Sequence, residues 1–485
     1  MTDKSATIFD NKIDPRTYAK ACKAKAKHVR KLKRDGSEIC HLQVAELPVI
    51  GERFGAKWLQ PAAPGAAANF ASIENPLVVG NIRMGFGHYR ISMAMASAAA
   101  ALGFTPLWFD LMGFPSTAAT KIISQQNDLY SLGSRLSQKC WLFNALLWEP
   151  LNSEGFRKLT YNAQDQKVAE LMVAPYADLP SDIPFVGTHA WTAQAAIHAG
   201  LTNVVNAIPD NWPMALHLSE GAIHTVQTPS AFLGYKALRG MAKRPLTPMP
   251  EESLYYTGHY VDHELVLNIP FDCARRCERA EGAGPIRYLL TVGGAGAQQD
   301  LFKGIIEHLL PYIKQEKAAL LVNVGDHADV WNALRECIPP FVKVTEHFND
   351  FTDVDAFAEA ALDGPVEGVH AFGDSNIFAA VYTTNVLMRA CDLLVTKPSE
   401  LSYYPVPKLM IKRVGGHEAW GAIRAAEVGD GTYELESLPE ICAFIDLIQQ
   451  EPGIIAEMCD NIEAADCMGT YDGAYRAVQL ACPRE

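Results

Sequence analysis

A glycine-containing segment at residues 81–103, NIRMGFGHYRISMAMASAAAALG, constrains the fold of this 485-residue chain more than any other stretch. Apolar runs at 77–80 and 104–109 flank it, so the pattern predicts strand, turn, helix and strand. Gly85 and Gly87 permit a tight turn and leave backbone amides uncovered. The helix that follows offers free N–H groups at the positive end of its dipole, which is typical of a phosphate site. His88 stands at the helix start, so the segment predicts nucleotide chemistry with a histidine nearby.

The rest of the chain repeats this alternation in two cycles, separated by the turn-rich residues 281–285. Short apolar runs predict strands at 77–79, 106–109, 185–188, 203–208 and 222–227 in the first cycle. In the second cycle they predict strands at 287–292, 318–324, 342–345, 366–370, 393–396 and 408–411. The order indicates an α/β fold with two Rossmann-like domains facing a central cleft. We expect an extension and linker at 1–72, domains at 73–280 and 285–437, and helices at 438–485.

Composition excludes several classes of function. Lys plus Arg total 42 against 55 for Asp plus Glu, and the net charge of −13 argues against bulk nucleic-acid binding. The 11 cysteines are scattered without metal-ligand spacing, so a zinc site is not expected. No cofactor is expected either. The first residues lack the apolar core of a signal peptide, and no apolar run is long enough to cross a bilayer, which predicts a cytoplasmic protein.

One basic run departs from the acidic average. Lys and Arg side chains recur from Lys20 to Arg34 with no acid among them. The run fits a solvated helix face, which is the favoured interpretation, and it also fits contact with anionic lipid or RNA.

His88 and Asp210 are the candidate catalytic residues. An imidazole titrates near neutral pH and can accept a proton from a hydroxyl group, although His88 also fits a structural role at a helix start. Asp210 follows a predicted strand in a proline-flanked loop, NAIPDNWP, where it is either an ordinary turn residue or a carboxylate that orients the base or the acceptor.

The second cycle contains the candidate phosphate and donor residues. Its first strand leads into a second glycine loop, which contains Gly293, Gly294, Ala295 and Gly296. Further candidates follow later strands, and all of them are expected at the carboxyl edge of the sheet: Lys397, Ser399, Glu400, Gly416, His417 and Glu418. A lysine there can neutralise a phosphate, and a glutamate can accept ribose hydroxyl groups.

Residues 129–151 concentrate aromatic side chains, including Trp141 and Trp148, in an apolar stretch. Helical spacing favours a place in the core, whereas the alternative is a lipid-facing surface on the acceptor side.

The order of these motifs resembles GT-B glycosyltransferases of the monogalactosyldiacylglycerol synthase and peptidoglycan N-acetylglucosaminyltransferase type. The segments that carry the resemblance are GFGHYRISMAMASAAAALG, FDLMGF, YSLGSRLSQKCWLFNALLW, NAIPDNWPMALHLSEGAIHTVQTPSAF, TGHYV, LLTVGGAGAQQDL and LMRACDLLVTKPSE. They span most of residues 75–435.

The resemblance implies an inverting, metal-independent hexosyltransferase that uses a nucleotide-sugar donor, often UDP-linked. The carboxyl-terminal half would hold the donor, and the amino-terminal half would hold an acceptor that is frequently a lipid. His88 matches the position of the family's base, and Trp141 and Trp148 fall in its acceptor-side segment. Peripheral contact with the inner face of a membrane is a further expectation.

The chain departs from the family pattern in its donor half. The shortened segment SELSYYPVP replaces the expected helix start, because Pro405 and Pro407 preclude an ordinary helix. Gly421 stands where an asparagine is expected, and His224 stands where an aspartate is frequent. Two alternatives therefore stay open: a nonhydrolysing sugar-nucleotide epimerase and a non-catalytic nucleotide-sugar-binding protein.

Overall fold

The computed structural model describes residues 3–63, 68–139, 155–293 and 298–482, excepting the side chains of residues 129–139, 283 and 417. Within these residues the chain forms two α/β units with a cleft between them. The predicted α/β fold with two Rossmann-like domains is confirmed.

Among its described residues, the first unit contains ten strands and seven α-helices. Its strands are β1 (Thr7–Ile8), β2 (Asn11–Lys12), β3 (Leu42–Glu46), β4 (Lys57–Pro61), β5 (Pro76–Asn81), β6 (Thr105–Asp110), β7 (Phe185–Gly187), β8 (Val204–Ala207), β9 (Ile223–Val226) and β10 (Leu254–Tyr256). Its helices are α1 (Pro15–Leu32), α2 (Ile50–Phe54), α3 (Gly87–Ala101), α4 (Ala118–Lys139), α5 (Leu159–Ala169), α6 (Ala190–His198) and α7 (Pro229–Lys236).

Eight of these strands form one sheet in the order β10-β9-β8-β7-β5-β6-β4-β3, parallel except for the β3–β4 pair. The chain runs from β5 to β6 and later enters β7 on the other side of β5. The loops after β5 and β7 therefore diverge at the same edge, which is where ligands bind in open α/β sheets.

The apolar pattern did not predict β3 and β4, which extend this sheet from residues 42–61. Most of their side chains are partly or fully exposed, and only Leu42 and Leu59 are buried. They carry too few buried residues to stand out as core strands.

In the part of the second unit that the structure describes, there are six strands and the remaining α-helices. Its strands are β11 (Ile286–Thr291), β12 (Ala318–Asn323), β13 (Val344–Phe348), β14 (Val369–Gly373), β15 (Leu393–Thr396) and β16 (Lys408–Met410). The helices after β10 are α8 (His263–Leu267), α9 (Ile269–Glu278), α10 (Gln299–Lys314), α11 (Ala328–Arg335), α12 (Phe351–Asp363), α13 (Ile377–Ala390), α14 (Ala419–Val428), α15 (Leu438–Gln450), α16 (Gly453–Cys467) and α17 (Gly473–Ala481).

All six strands of this unit are parallel, in the order β13-β14-β12-β11-β15-β16. Strands β11, β12, β14 and β15 are buried along their whole length, which explains why their sequences are mostly apolar.

The last three helices connect the two units. Helix α16 packs against α9, and α17 packs against α3 and β8 of the first unit. Ala474, Ala477 and Val478 of α17 share a buried cluster with Leu77 and Val79 of β5. The carboxyl-terminal helix α17 therefore packs on α3, the helix that carries His88.

Candidate active site

A cleft between the two units encloses about 720 Å³ of empty space, part of it open to solvent. Its lining residues come from loops after β5, β8 and β15 and from the start of α14. They are Met84, Gly87, His88, Ile91, Pro209, Asp210, Asn211, Lys397, Ser399, Glu400, Tyr403, Glu418 and Gly421. Seven of the residues predicted from sequence therefore meet in one cleft, although they lie in four separate parts of the chain.

His88 lies in the first turn of α3, immediately after the loop that turns at Gly85 with φ of +80°. Its Nδ1 atom is 2.8 Å from the carbonyl oxygen of Thr188. Because a carbonyl oxygen only accepts, Nδ1 carries the proton and the neutral ring keeps its lone pair on Nε2. Burial lowers the pKa of His88, and the Thr188 carbonyl and the nearby Asp210 charge oppose this effect. The imidazole is therefore a neutral proton acceptor at neutral pH.

Two further histidines surround this site, and the sequence reasoning missed both. The His189 ring lies 4.8 Å from the His88 ring, and its Nδ1 atom accepts a hydrogen bond from the backbone N–H of Trp191. Burial lowers the pKa of His189 well below its usual range, so this ring stays neutral. His217 places Nε2 3.0 Å from Oδ2 of Asp210. Their positions in loops after β7 and β8 are the only sequence signal that could have identified them.

Asp210 lies in the loop after β8, as the sequence predicted. Its carboxylate is about one-third exposed at 32%, whereas His217 behind it is 9% exposed. A second hydrogen bond fixes the loop, because Gln227 donates from Nε2 to the Pro209 carbonyl at 2.7 Å. His217 therefore contacts Asp210 on its buried side, and the carboxylate faces the cleft.

Glu400 reaches from the second unit to the amino end of α3. Its Oε1 atom is 3.4 Å from Nε of Arg90, which also donates to Asn385 Oδ1 and to the Val381 carbonyl. A Cβ atom placed on Gly87 would lie 3.0 Å from Oε2 of Glu400. The carboxylate therefore lies beside the turn that carries His88, and a side chain at Gly87 would press against it.

Lys397 is the cation of the opposite wall. Its Nζ atom contacts Oε1 of Glu418, and its side chain lies 3.3 Å from a Cβ atom placed on Gly293. The second oxygen of Glu418 accepts from the N–H groups of Val414 and Gly415 at 2.8 and 3.0 Å. Burial alone would raise the pKa of Glu418, but Lys397 and these amides lower it. Glu418 therefore shapes the turn and holds Lys397 beside the second glycine loop.

The segment after Lys397 forms a short turn rather than a helix. A 3₁₀ turn spans Glu400–Tyr403, Ser399 caps it through its hydroxyl oxygen, and Pro405 and Pro407 follow. The expectation that these prolines preclude an ordinary helix agrees with this geometry. A second 3₁₀ turn, Gly416–Glu418, precedes α14. Its Gly416 does not line the cleft, and neither does Gly85.

Gly421 is explained by packing. A Cβ atom at this position would lie 2.8 Å from Oγ and 3.2 Å from Cβ of Ser402. The glycine allows α14 to approach the Glu400–Tyr403 turn, which brings Glu418 and Glu400 to the same cleft. His224 also has a structural place: it is buried, accepts from the Ser219 N–H on Nε2 at 2.9 Å, and contacts the Ser253 carbonyl.

Several predicted residues lie outside the described part of the chain. These are Gly294, Ala295 and Gly296 of the second glycine loop, Trp141 and Trp148 of the aromatic segment, and the side chain of His417.

Contacts across the cleft hold the two units together. Trp212 and Trp420 stack with ring centroids 5.3 Å apart, and Arg83 lies 3.4 Å from Asp326. His259, in the segment that crosses between the units, binds the Tyr403 carbonyl through Nδ1 at 2.9 Å. Among the described residues, no group of three or more His, Cys, Asp or Glu side chains is arranged to hold a metal ion. In that same part of the chain, no helix is both long and apolar enough to span a bilayer.

Two family models match the chain. Residues 7–237 match a domain of unknown function, DUF6937, and residues 249–482 match another, DUF6938. No curated protein matches the sequence.

Solved structures resemble the fold at low identity. UDP-GlcNAc 2-epimerase from Neisseria meningitidis bound to UDP-GlcNAc is 11% identical with a TM-score of 0.44, covering 84% of this chain and 98% of that one. The glycotransferase of kitacinnamycin is 10% identical with a TM-score of 0.38, covering 85% and 100%. The α,α-trehalose 6-phosphate synthase from Burkholderia multivorans is 13% identical with a TM-score of 0.39, covering 84% and 98%.

Proposed function

We propose that the protein is an inverting, metal-independent glycosyltransferase that uses a nucleotide-sugar donor, with a UDP-sugar as the first candidate. The observation that carries the proposal is the meeting of His88 and Asp210 with Lys397, Ser399, Glu400 and Glu418 in one interdomain cleft. A proton acceptor and a cation on opposite walls are what displacement at an anomeric carbon requires.

In this proposal, His88 is the general base. Its unprotonated Nε2 atom would accept the proton of the acceptor hydroxyl group while the new oxygen–carbon bond forms. Asp210 lies on the same wall and would orient the hydroxyl group or stabilise the resulting imidazolium.

The departing nucleoside diphosphate takes the electron pair of the bond that breaks. Its negative charge fits the Lys397 ammonium group and the amino end of α10, where Gln298 provides no side-chain cap. Gly293 brings the backbone of the second glycine loop next to Lys397. Approach of the two units would exclude water and protect the donor from hydrolysis.

A lipid acceptor is the first candidate, with contact at the inner face of a membrane and a cytoplasmic location. It would enter on the His88 side, since that wall comes from the first unit.

The first experiment is a thermal-shift titration of the full chain with UDP, GDP, ADP, dTDP and several UDP-sugars. A ligand that binds only the folded state adds ~2.7 kcal/mol of stability at a hundredfold excess over its dissociation constant. A shift with one nucleotide would identify the donor base and justify an acceptor screen. Failure of every nucleotide to shift the melting temperature would exclude the proposal.

The acceptor screen compares His88→Ala with His41→Ala, since His41 is an exposed histidine on another surface. We expect the first variant to lose roughly 10²–10⁴-fold in transfer rate while keeping its nucleotide shift, and the second to remain fully active. Because burial lowers the pKa of His88, transfer should stay level at neutral pH and fall only in more acidic solution than an ordinary imidazole would require.

A second candidate is a nonhydrolysing sugar-nucleotide epimerase. It is favoured by two groups able to exchange protons on the same wall, namely His88 and the Asp210–His217 pair. Product analysis without any acceptor separates the two enzymes, because only the epimerase would convert the sugar nucleotide. Binding without turnover under both conditions, unaffected by His88→Ala, would indicate a non-catalytic nucleotide-sugar-binding protein.

A further inference from the structure

Helix α1, Pro15–Leu32, lies on the surface of the first unit. Asp14 caps its amino end by accepting from the backbone N–H groups of Arg16 and Thr17. Its inner side packs against α5, where Ala21 is buried and Lys25 pairs with Glu170 at 2.6 Å. The helix is therefore fixed in orientation, so its outer side is a defined surface.

The outer side carries charge of one sign only. Its exposed charged residues are all cations, and they recur at intervals of three or four residues except for one adjacent pair. They are Arg16, Lys20, Lys23, Lys27, Arg30 and Lys31. Residues 15–34 contain no Asp or Glu. Within the described residues, none of these six cations forms a salt bridge. The six positions span about 23 Å along a straight axis at 1.5 Å per residue.

We propose that this basic face of α1 docks on a bilayer surface rich in anionic lipid. Like charges on one face repel each other, and an opposite surface charge relieves that repulsion. The chain as a whole has a net charge of −13 and is repelled by an anionic surface in most orientations. Attraction therefore requires that the basic face of α1 point toward that surface. Such contact orients the protein on the membrane. The inference deepens the proposed function by assigning the surface that would meet the bilayer in which a lipid acceptor resides, and it rests on that proposal only for the acceptor.

The composition of the face favours lipid headgroups over nucleic acid. Sites for single-stranded nucleic acid combine cations with aromatic side chains on which bases stack. Here Ala19 and Ala26 occupy exposed positions between the cations, and the helix's tyrosine, Tyr18, is only partly exposed and donates to Asp3. The face also lacks large apolar side chains, so binding is electrostatic and reversible rather than insertion into the hydrocarbon.

The test is co-sedimentation of the full chain with vesicles of phosphatidylcholine, with and without roughly 30 mol% phosphatidylserine. We expect at least about tenfold stronger partitioning onto the anionic vesicles, lost between roughly 0.05 and 0.5 M salt. The variant K20Q/K23Q/K27Q/K31Q should lose about tenfold or more of this partitioning, because each lysine near the surface contributes separately.

The matched control is K243Q/K303Q/K317Q/K343Q, which removes the same charge from exposed positions elsewhere. It should partition within about twofold of the wild type, so net charge alone is not the cause. Three results would overturn the inference. They are an equal loss of partitioning in the two variants, no preference of the wild type for anionic vesicles, and displacement of the protein from the vesicles by a short RNA at a concentration below that of the anionic lipid. Unchanged melting curves and nucleotide shifts in both variants separate this result from misfolding and from failure of the proposed function.

Discussion

Replacement of Arg90 by methionine tests how the cleft is assembled. Arg90 is 3% exposed, and its guanidinium group joins α3 of the first unit to Glu400, Asn385 and the Val381 carbonyl of the second. Methionine keeps most of the apolar stem but leaves the Asn385 oxygen and the Glu400 carboxylate without their donor. An unsatisfied buried polar group costs about 1–3 kcal/mol, so we expect a loss of about 3 kcal/mol from the free energy of domain closure, roughly a hundredfold in population.

The assay is small-angle X-ray scattering of the full chain, with nucleotide affinity as a second readout. Arg83→Met is the matched control, because Arg83 contacts Asp326 across the same interface but its side chain is 49% exposed. Exposed pairs contribute about 0–1 kcal/mol, so this variant should keep the compact shape. If the two variants scatter alike and bind nucleotide alike, Arg90 does not govern closure and the reasoning is refuted.

Three further variants follow from other contacts. Burial raises the pKa of Asp165 to about 8. The folded carboxyl group therefore keeps a proton that the unfolded one releases near pH 4. As the pH rises from roughly 5 to 7, the free energy of unfolding should fall by about 1.4 kcal/mol per pH unit. Urea unfolding at both pH values should show that Asp165→Asn removes this slope, and an unchanged slope would contradict it. Calorimetry should show that Lys397→Met weakens the affinity for a nucleoside diphosphate about tenfold and leaves the affinity for the nucleoside unchanged. The control Lys303→Met should change neither affinity. An equal loss of affinity for both ligands would exclude a phosphate contact. Gly421→Asn should cost about 1–3 kcal/mol in thermal unfolding because its Cβ would lie 2.8 Å from Ser402 Oγ, and a neutral result would show that α14 can shift.

Much of the fold could be predicted because parallel strands are buried on both faces. β15 coincides with the predicted residues 393–396, and most other predicted core strands differ from the structure by one or two residues at their ends. The strands predicted at 342–345 and 366–370 are displaced by two or three residues from β13 and β14. The same logic located the site: loops at the carboxyl ends of strands converge, so His88, Asp210, Lys397 and Glu400 meet although the sequence separates them widely.

The sequence could not indicate the partners of these side chains. Arg90 and Glu400 are 310 positions apart, and no local pattern encodes their contact. A charged residue in a helix such as α3 is normally predicted to be exposed to solvent. Arg90 is instead buried, because the second unit packs over it. His217 likewise acquires its role only because a loop brings it behind Asp210.

The contact between Arg90 and Glu400 also makes the two glycine loops chemically different. At the first loop, a carboxylate of the protein lies beside Gly87 and is paired with Arg90, so a negative charge already occupies the amino end of α3. A diphosphate placed there would be repelled by Glu400, whereas a neutral hydroxyl group would not. At the second loop, Lys397 lies beside Gly293 but is itself paired with Glu418, and it is the start of α10, which has no side-chain cap, that favours an anion. This difference supports the proposed assignment of proton transfer to the first loop and of the leaving group to the second, although both loops share one sequence pattern.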